Sequence, residues 1–372
     1  MNTSVPTPTP SSPLPYDASY EVPEEDEAKT MDGLVETLRK IAETTLSHSG
    51  HATRAVHVKS HGLLRAELRV LDGLPPELAQ GIFARPGTWP AVMRFSTSPG
   101  DMLDDKVSTP RGLAIKIVGV DGVRLPNSEN DVTQDFVMVD GPVFAAPGPK
   151  KFLGSMKLLA STTDKAPGLK KVLSSVLQGA EKALEALGGE SSLLKGLGGH
   201  PRTHILGETY FTQVPVLYGK YMAKLSIAPV SAGLLALKDA PVDLKDRPNG
   251  LREAVVAFFG SAAAEWELRV QLCTDLGKMP IEDASVEWPQ ELSPYVAVAR
   301  IRAQPQNAWT EARAAAVDEG MAFNPWHGVS AHRPLGSVMR VRKAAYEFSA
   351  QFRAQHNRAA VGEPRDLDHF PE

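Results

Sequence analysis

Hydrophobic and polar residues alternate with a period of two in several segments of this chain. The clearest segment is 64–70, where Leu64, Ala66, Leu68 and Val70 alternate with charged residues, as in a strand with one buried face. Further segments of strand-like composition lie at about 91–96, 113–118, 135–139, 209–215, 221–227, 266–274 and 295–302. The sequence therefore predicts eight β-strands.

Helical patterns occupy other parts of the chain. Over 31–49, apolar residues recur at the spacing of one helix face, and Gly50 ends the pattern. Further helices are predicted at 151–198 and at 335–357. Because most strands follow one another without a helix between them, we expect antiparallel pairing that closes into a barrel. The predicted fold is α+β, an eight-stranded antiparallel β-barrel with helical additions.

Composition divides the chain into three parts. Residues 1–29 are rich in Pro, Ser and Thr and then acidic, so we expect a flexible N-terminal arm. Residues 30–357 are predicted to form one domain with a helical insertion at 151–205, and 358–372 form a C-terminal tail. The sequence shows neither the basic start and apolar run of a signal peptide nor an apolar stretch that could cross a bilayer. We therefore expect a cytoplasmic protein without a membrane partner.

Charge and cysteine content narrow the function classes. The formal net charge of −4 offers no electrostatic reason to expect nucleic acid. Cys273 is the only cysteine, so an intrachain disulfide and a thiolate-rich metal site are excluded. The strand pattern near His57 and His61 provides no helical platform for a non-haem metal, and no glycine-rich dinucleotide motif follows a strand. Small-molecule chemistry is the favoured class.

The predicted last helix carries an unusual stripe of charge. At about 100 degrees per residue, Arg342, Tyr346 and Arg353 fall on the side expected to face the core. This pattern fits a packed tyrosine whose neighbouring arginines extend to solvent. It also fits a tyrosine that Arg342, one turn away, stabilises as a phenolate. A tyrosinate is a known ligand of haem iron.

Two other segments offer groups for proton transfer. His57 precedes the first clear strand, and an imidazole can move protons at neutral pH, as cleavage of a peroxide requires. The position fits a surface or satisfied core histidine as well. In the segment 92–97, period two puts Arg94 and Ser96 on one face, which is either a polar outer face or a cation and a hydroxyl directed at a site.

Together these segments resemble the monofunctional haem catalases, in the same order along the chain. Residues 54–59, RAVHVK, resemble the catalase segment that contains the distal histidine, and 94–97, RFST, match the Arg-Phe-Ser-Thr that follows it. Residues 111–116, RGLAIK, fit the family's Arg-Gly-x-Ala-x-Lys. Residues 322–325, AFNP, precede the last-helix tyrosine as a similar Ala-Phe-Asp-Pro does in catalases.

The resemblance covers about residues 50–145 and, more loosely, 205–355, and it implies a role for each matching residue. His57 would be the distal acid–base group, Ser96 its hydrogen-bond partner and Tyr346 the axial ligand of the iron. The other residues implied to contact the cofactor, expected to be haem b, are Arg342 beside the tyrosine, Arg54, Arg94 and Arg353 at the propionates, and Val56 and Phe144 in the distal pocket.

Two departures from the catalase pattern bear on activity. Residues 135–144, DFVMVDGPVF, resemble a stretch ending Asn-Asn-Thr-Pro-Val-Phe, and alignment on the shared ending places Val139 and Asp140 where the asparagines would be. The carboxamide that steadies peroxide in catalases is then missing. The sequence after His356 is also too short for the extra C-terminal domain of large catalases. The chain looks most similar to the small, catalase-related peroxidases.

The resemblance implies a haem enzyme that reduces hydrogen peroxide or organic hydroperoxides and consumes a small-molecule reductant. Two alternatives stay open. One is rearrangement of fatty-acid hydroperoxides, as in the allene oxide synthase relatives of catalase, and the other is haem binding without turnover. We expect a homo-oligomer.

Overall fold

The strands form one continuous antiparallel sheet in a computed structural model, which describes residues 12–98, 100, 102–107, 109–162 and 201–372. Nine strands are present in these residues. They are β1 Lys59–Val70, β2 Gly87–Thr97, β3 Arg111–Val118, β4 Thr133–Val139, β5 Tyr210–Phe211, β6 Val216–Tyr218, β7 Tyr221–Pro229, β8 Ala264–Leu272 and β9 Val296–Ala303.

The α-helices of the described residues lie before, between and after these strands. They are α1 Glu27–Ser49, α2 Pro149–Thr162, α3 Ala232–Leu235, α4 Gly250–Phe259, α5 Glu311–Arg313 and α6 Ser337–Asn357, and a π-helical turn, Ala314–Glu319, follows α5. Helices α1 and α6 confirm the segments predicted from periodicity. Gly50 ends α1 with φ 70°, a left-handed conformation that glycine adopts without strain. Of the insertion predicted at 151–205, helix α2 and residues from 201 are described, and 163–200 lie outside the described residues.

Pairing at β5 closes the sheet into a barrel. The strand order is β5-β4-β3-β2-β1-β9-β8-β7-β6, and β5 pairs with both β4 and β7. The ring therefore contains eight strands, and β6 adds a hairpin on β7. The predicted eight-stranded antiparallel barrel with helical additions is confirmed. Of the single strand predicted at 209–215, only β5 is present; the chain leaves the sheet where Gln213 has φ 64° and Pro215 has no N–H for a ladder, and β6 begins after the predicted segment, at Val216.

The interior of the barrel is filled by apolar side chains. Phe95, Tyr210 and Trp266 are fully buried there, and the Phe95 ring lies 5.8 Å from the Tyr210 ring and 6.0 Å from the Trp266 ring. Helices α1, α2 and α6 pack together outside the barrel through a separate apolar cluster that includes Leu38 and Val341. None of the helices in the described ranges is long and apolar enough to cross a membrane. Because apolar side chains fill the barrel interior, we expect polar functional groups to lie between the barrel and its helices.

The described part of the N-terminal segment packs on the barrel and on α6. The Leu14 amide donates to Cys273 O at 2.9 Å, and the Glu21 carboxylate pairs with Arg333 at 2.8 Å and Arg340 at 3.0 Å. Composition predicts a flexible arm for 1–29 because this segment cannot fold alone. From residue 12 onward, these partners on the domain provide the missing contacts, and residues 1–11 lie outside the described residues.

The packed interior leads to a stability prediction. We expect Phe95→Ala to lower the free energy of unfolding by about 3–5 kcal/mol, because the neighbouring rings cannot fill the cavity. Val123→Ala is the control, because Val123 is 81% exposed. Urea denaturation of both variants measures the difference. Equal stability of Phe95→Ala and wild type would contradict the described packing.

Candidate functional site

Strand register places the predicted site residues on the outer face of β2, β3 and β4. Ser96 pairs with Gly112, and Gly112 pairs with Val139, so these three residues form a row across the strands. Alternate residues such as Phe95 fill the barrel interior, which leaves this row facing outward. Two residues further along, Arg94 lies in the next outward row.

His57 lies over the row formed by Ser96, Gly112 and Val139. Its Nδ1 is 3.3 Å from Ser96 Oγ, and its main-chain carbonyl accepts a 2.8 Å hydrogen bond from Arg94 Nη2. A Cβ atom at Gly112 would be 2.7 Å from His57 Nδ1, so only glycine leaves room for the ring. The backbone of His57 itself is left-handed, with φ 53°. These contacts fix the imidazole against the barrel.

The surroundings of His57 favour its neutral form. Burial, with the positive charges of Arg94 and Arg342, lowers the pKa of His57 to about 3. The imidazole is therefore uncharged at neutral pH, and one of its two ring nitrogens carries no proton. The neighbouring Val56 packs into the apolar cluster of α1, α2 and α6.

Arg342 and Tyr346 meet on α6, one turn apart. Arg342 Nη2 donates to the Tyr346 hydroxyl at 2.5 Å, and the guanidinium lies 5.3 Å from the centre of the Tyr346 ring. The same guanidinium lies 5.4 Å from the Phe144 ring, which contacts Phe152 of α2 edge-on at 5.0 Å. The positive charge of Arg342 also contributes to the lowered pKa of His57.

Three arginines converge on Asp318 in the π-helical turn. Arg94 Nε lies 2.6 Å and Arg54 Nη1 3.5 Å from Asp318 Oδ1, and Arg353 Nη1 donates to the main-chain carbonyl of Asp318 at 2.7 Å. Burial alone would raise the pKa of Asp318, but Arg94 and Arg54 hold it below its usual range. The carboxylate therefore remains charged. Sequence reasoning missed Asp318, whose only signal is an acidic residue shortly before the AFNP motif.

Main-chain carbonyls in and just after this turn accept hydrogen bonds from further guanidinium nitrogens of Arg54 and Arg353. Arg54 Nη2 donates to Val317 O at 3.0 Å and to Met321 O at 2.9 Å, and Arg353 Nη2 donates to Met321 O at 3.1 Å. Val317 belongs to the π-helical turn and Met321 follows it by two residues, and π-helical turns are common at functional sites. The structure thus brings Arg54, Arg94 and Arg353 together, although they come from distant parts of the sequence.

The residues present fit a haem in two respects. The three arginines face two carboxylates, Asp318, which pairs with Arg94 and Arg54, and Glu319, whose charge acts on Arg54 and Arg353, so one positive charge remains. Arg353 Nε is buried and has no hydrogen-bond partner within the described part of the chain. Carboxylates of a porphyrin suit such a cluster. A phenol beside a guanidinium suits an iron ligand.

A second polar cluster lies further along the outer face of β3 and β4. Donor atoms of Asp135, His327 and Glu363 lie within 4.8 Å of one another, a spacing compatible with a metal ion. Lys116 Nζ, however, is 2.8 Å from both Asp135 carboxylate oxygens and also contacts Glu363. Burial opposes protonation of His327, but Asp135 and Glu363 raise its pKa to about 9. Two cations therefore already balance the two carboxylates.

Comparison with solved structures identifies the architecture. A fungal catalase superposes with a TM-score of 0.59 at 17% sequence identity, over 88% of this chain and 68% of the other. Catalase A from Saccharomyces cerevisiae gives 0.58 at 16% identity, and a bacterial catalase gives 0.55 at 15%, each over 83% of this chain. The chain has the catalase fold.

Other comparisons give no match. No protein-family model and no curated protein matches the chain. Among the catalase structures, the chain spans 62% of the length of the yeast protein and 58% of the bacterial one. The catalase fold is therefore shown by structure, while the roles of individual site residues stay predictions.

The environment of His57 predicts its protonation behaviour. We expect its imidazole to stay neutral between about pH 8 and pH 5, whereas an unperturbed histidine titrates near pH 6.5. Because the unfolded chain takes up this proton and the folded chain does not, His57 should make the fold less stable as the pH falls from about 6.5 toward 3. NMR titration of histidine-labelled protein, assigned with a His57→Asn variant, measures the pKa. A midpoint above pH 6 would contradict the described surroundings.

Proposed function

We propose that this chain is a haem-dependent peroxidase of the catalase superfamily, in its small, catalase-related branch, and that it reduces hydrogen peroxide or organic hydroperoxides. The observation that carries the proposal is the position of Arg342. Its guanidinium contacts the Tyr346 hydroxyl at 2.5 Å and is close enough to His57 to lower the pKa of the imidazole. The catalase fold and the ordered motifs support the same assignment.

The chain's own residues would hold haem b through two kinds of contact. Tyr346 would provide its phenolic oxygen as a ligand of the iron, and Arg342 Nη2 donates a hydrogen bond to that oxygen. Arg54, Arg94 and Arg353 would bind the propionates. Val56 and Phe144 would supply apolar contacts on the distal side. The bound iron porphyrin would supply the redox chemistry of peroxide reduction.

His57 would move the proton that this reaction requires. In the tautomer that donates Nδ1–H to Ser96 Oγ, the lone pair of Nε2 is available. Nε2 can take a proton from one peroxide oxygen and return it to the other. Ser96 and Gly112 hold the ring in place, and the low pKa keeps it neutral before the proton arrives.

The apolar end of the row formed by Ser96, Gly112 and Val139 favours peroxidase over catalase activity. Val139 shares the row of Ser96 and Gly112 and has no hydrogen-bonding group to hold a peroxide. A small-molecule reductant would then restore the resting enzyme more readily than a second peroxide. The same apolar position favours one alternative, rearrangement of a fatty-acid hydroperoxide.

The proposal further includes a cytoplasmic location and assembly as a homo-oligomer.

Replacement of Val139 tests the substrate preference. We expect Val139→Asn to increase oxygen release from hydrogen peroxide relative to reductant oxidation by about tenfold or more, because the new carboxamide can donate to peroxide. Val123→Asn, at an exposed site, is the control. Oxygen-electrode and reductant assays give the two rates. An unchanged ratio would remove Val139 as the determinant.

Two substitutions separate cofactor binding from reactivity. Tyr346→Phe should lose haem on gel filtration, because phenylalanine cannot ligate iron, whereas Tyr20→Phe should retain it.

His57→Ala should retain haem but react with peroxide about 10²–10⁴-fold more slowly, the usual contribution of a general acid–base group. His369→Ala is its control. A haem spectrum unchanged in Tyr346→Phe, or an undiminished rate in His57→Ala, would contradict the assignment.

Product analysis distinguishes the enzyme alternatives. With a fatty-acid hydroperoxide and a reductant, the proposed peroxidase gives the alcohol and consumes the reductant. An allene oxide or its hydrolysis products, formed without reductant, would favour rearrangement. Haem binding with no reaction of any peroxide would favour a carrier.

A further inference from the structure

The C-terminal tail, residues 358–372, covers the outer side of the segment that carries Asp318. The Gly362 amide donates to Gly320 O at 2.9 Å, and Arg313 Nε donates to Pro371 O at 2.8 Å. Leu367 and Phe370 are buried in an apolar cluster with residues of the barrel and of this segment, including Val317, Met321 and Phe323. The tail is therefore part of the packed domain.

The other side of the same segment binds the three arginines. Asp318, with the main-chain carbonyls of Val317 and Met321, accepts hydrogen bonds from Arg54, Arg94 and Arg353, as described above. The segment thus lies between the tail and the arginines. A shift of the segment would move the acceptors that hold all three guanidinium groups.

Glu363 fixes the tail to the barrel through buried polar contacts. Its carboxylate contacts Lys116 and accepts a 2.7 Å hydrogen bond from Thr133 Oγ1, and its other oxygen lies 3.1 Å from His327 Nδ1. Lys116 and Thr133 are fully buried. Burial alone would raise the pKa of Glu363, but Lys116 and His327 lower it, so the carboxylate is charged. Its neighbour Gly362 makes the hydrogen bond to Gly320.

We propose that Glu363 is a positioning residue for the arginine cluster: it fixes the tail on the Asp318 segment and thereby holds the segment's acceptors against Arg54, Arg94 and Arg353. The consequence for cofactor retention rests on the proposed function. The mechanical coupling between the tail and the segment does not depend on it.

Charge balance explains why one side chain has this effect. Lys116 and His327 provide two positive charges, and Asp135 and Glu363 provide two negative charges. Glu363→Gln keeps the shape but removes one of the two charges that keep His327 protonated, so either a buried cation loses its counter-charge or His327 releases its proton, and the ion pairs that hold the tail are lost in both cases. The tail and the attached segment should then open more often than the rest of the barrel.

Hydrogen–deuterium exchange on the haem-free, full-length protein tests the coupling. Glu363→Gln should increase exchange of both 359–371 and 314–321 by about tenfold or more, while the strands β2 and β3 keep wild-type exchange. Asp368→Asn removes one carboxylate from an exposed position of the same tail and should change neither segment. Increased exchange of the tail alone, or of neither segment, would overturn the proposal.

A milder variant covers the case in which Glu363→Gln does not fold. Thr133→Val removes only the 2.7 Å hydrogen bond to Glu363 and suits a buried strand position. Thr133→Val should raise hydrogen–deuterium exchange in the same two segments by a smaller factor than Glu363→Gln. Increased exchange in 359–371 with wild-type exchange in 314–321 would overturn the coupling.

Hemin transfer to an excess of apomyoglobin provides a separate readout. Release should be faster from Glu363→Gln than from wild type and Asp368→Asn. An unchanged release rate together with increased exchange in 314–321 would overturn the link to the arginine cluster. Failure of the wild-type protein to bind hemin would contradict the proposed function, and the exchange result would still decide whether Glu363 positions the segment.

Discussion

The alternation of side chains along closed, antiparallel strands determines where chemistry can occur in this protein. Large apolar residues such as Phe95 and Trp266 fill the barrel, so the interior has no room for a cofactor. The opposite faces of the same strands carry Arg94, Ser96 and Gly112 in a fixed register. The site is therefore a surface of the barrel that other segments cover, and its position follows from the pairing of β2, β3 and β4.

Arginine side chains connect the covering segments to this surface. Arg94 links the main chain of His57 to Asp318, and Arg353 links α6 to the same turn. One turn of α6 separates Tyr346 from Arg342, whose charge acts on His57. The proposed axial ligand and the proposed acid–base group thus belong to one electrostatic network. Its excess positive charge is the feature that most favours an anionic, porphyrin-type ligand.

Local sequence patterns could predict the strands and the candidate residues, but not the contacts that arrange them. Period two identifies the second half of β1, because Arg65, Glu67 and Arg69 are exposed between buried neighbours. Asp318 and Glu363 belong to no repeating pattern, and their importance comes from packing against residues that are distant in sequence. The early end of the strand predicted at 209–215 likewise depends on the left-handed backbone of Gln213. The roles of His57 and Tyr346 come from motif resemblance, and the structure adds their neighbours.

The most direct test of the account is the resonance Raman spectrum of ferric, hemin-loaded wild-type protein. The account predicts stoichiometric hemin uptake and vibrational bands of an iron-bound phenolate, with Tyr346 as their source. Hemin bound through a histidine or a water alone, or a folded protein that takes up no hemin, would contradict it.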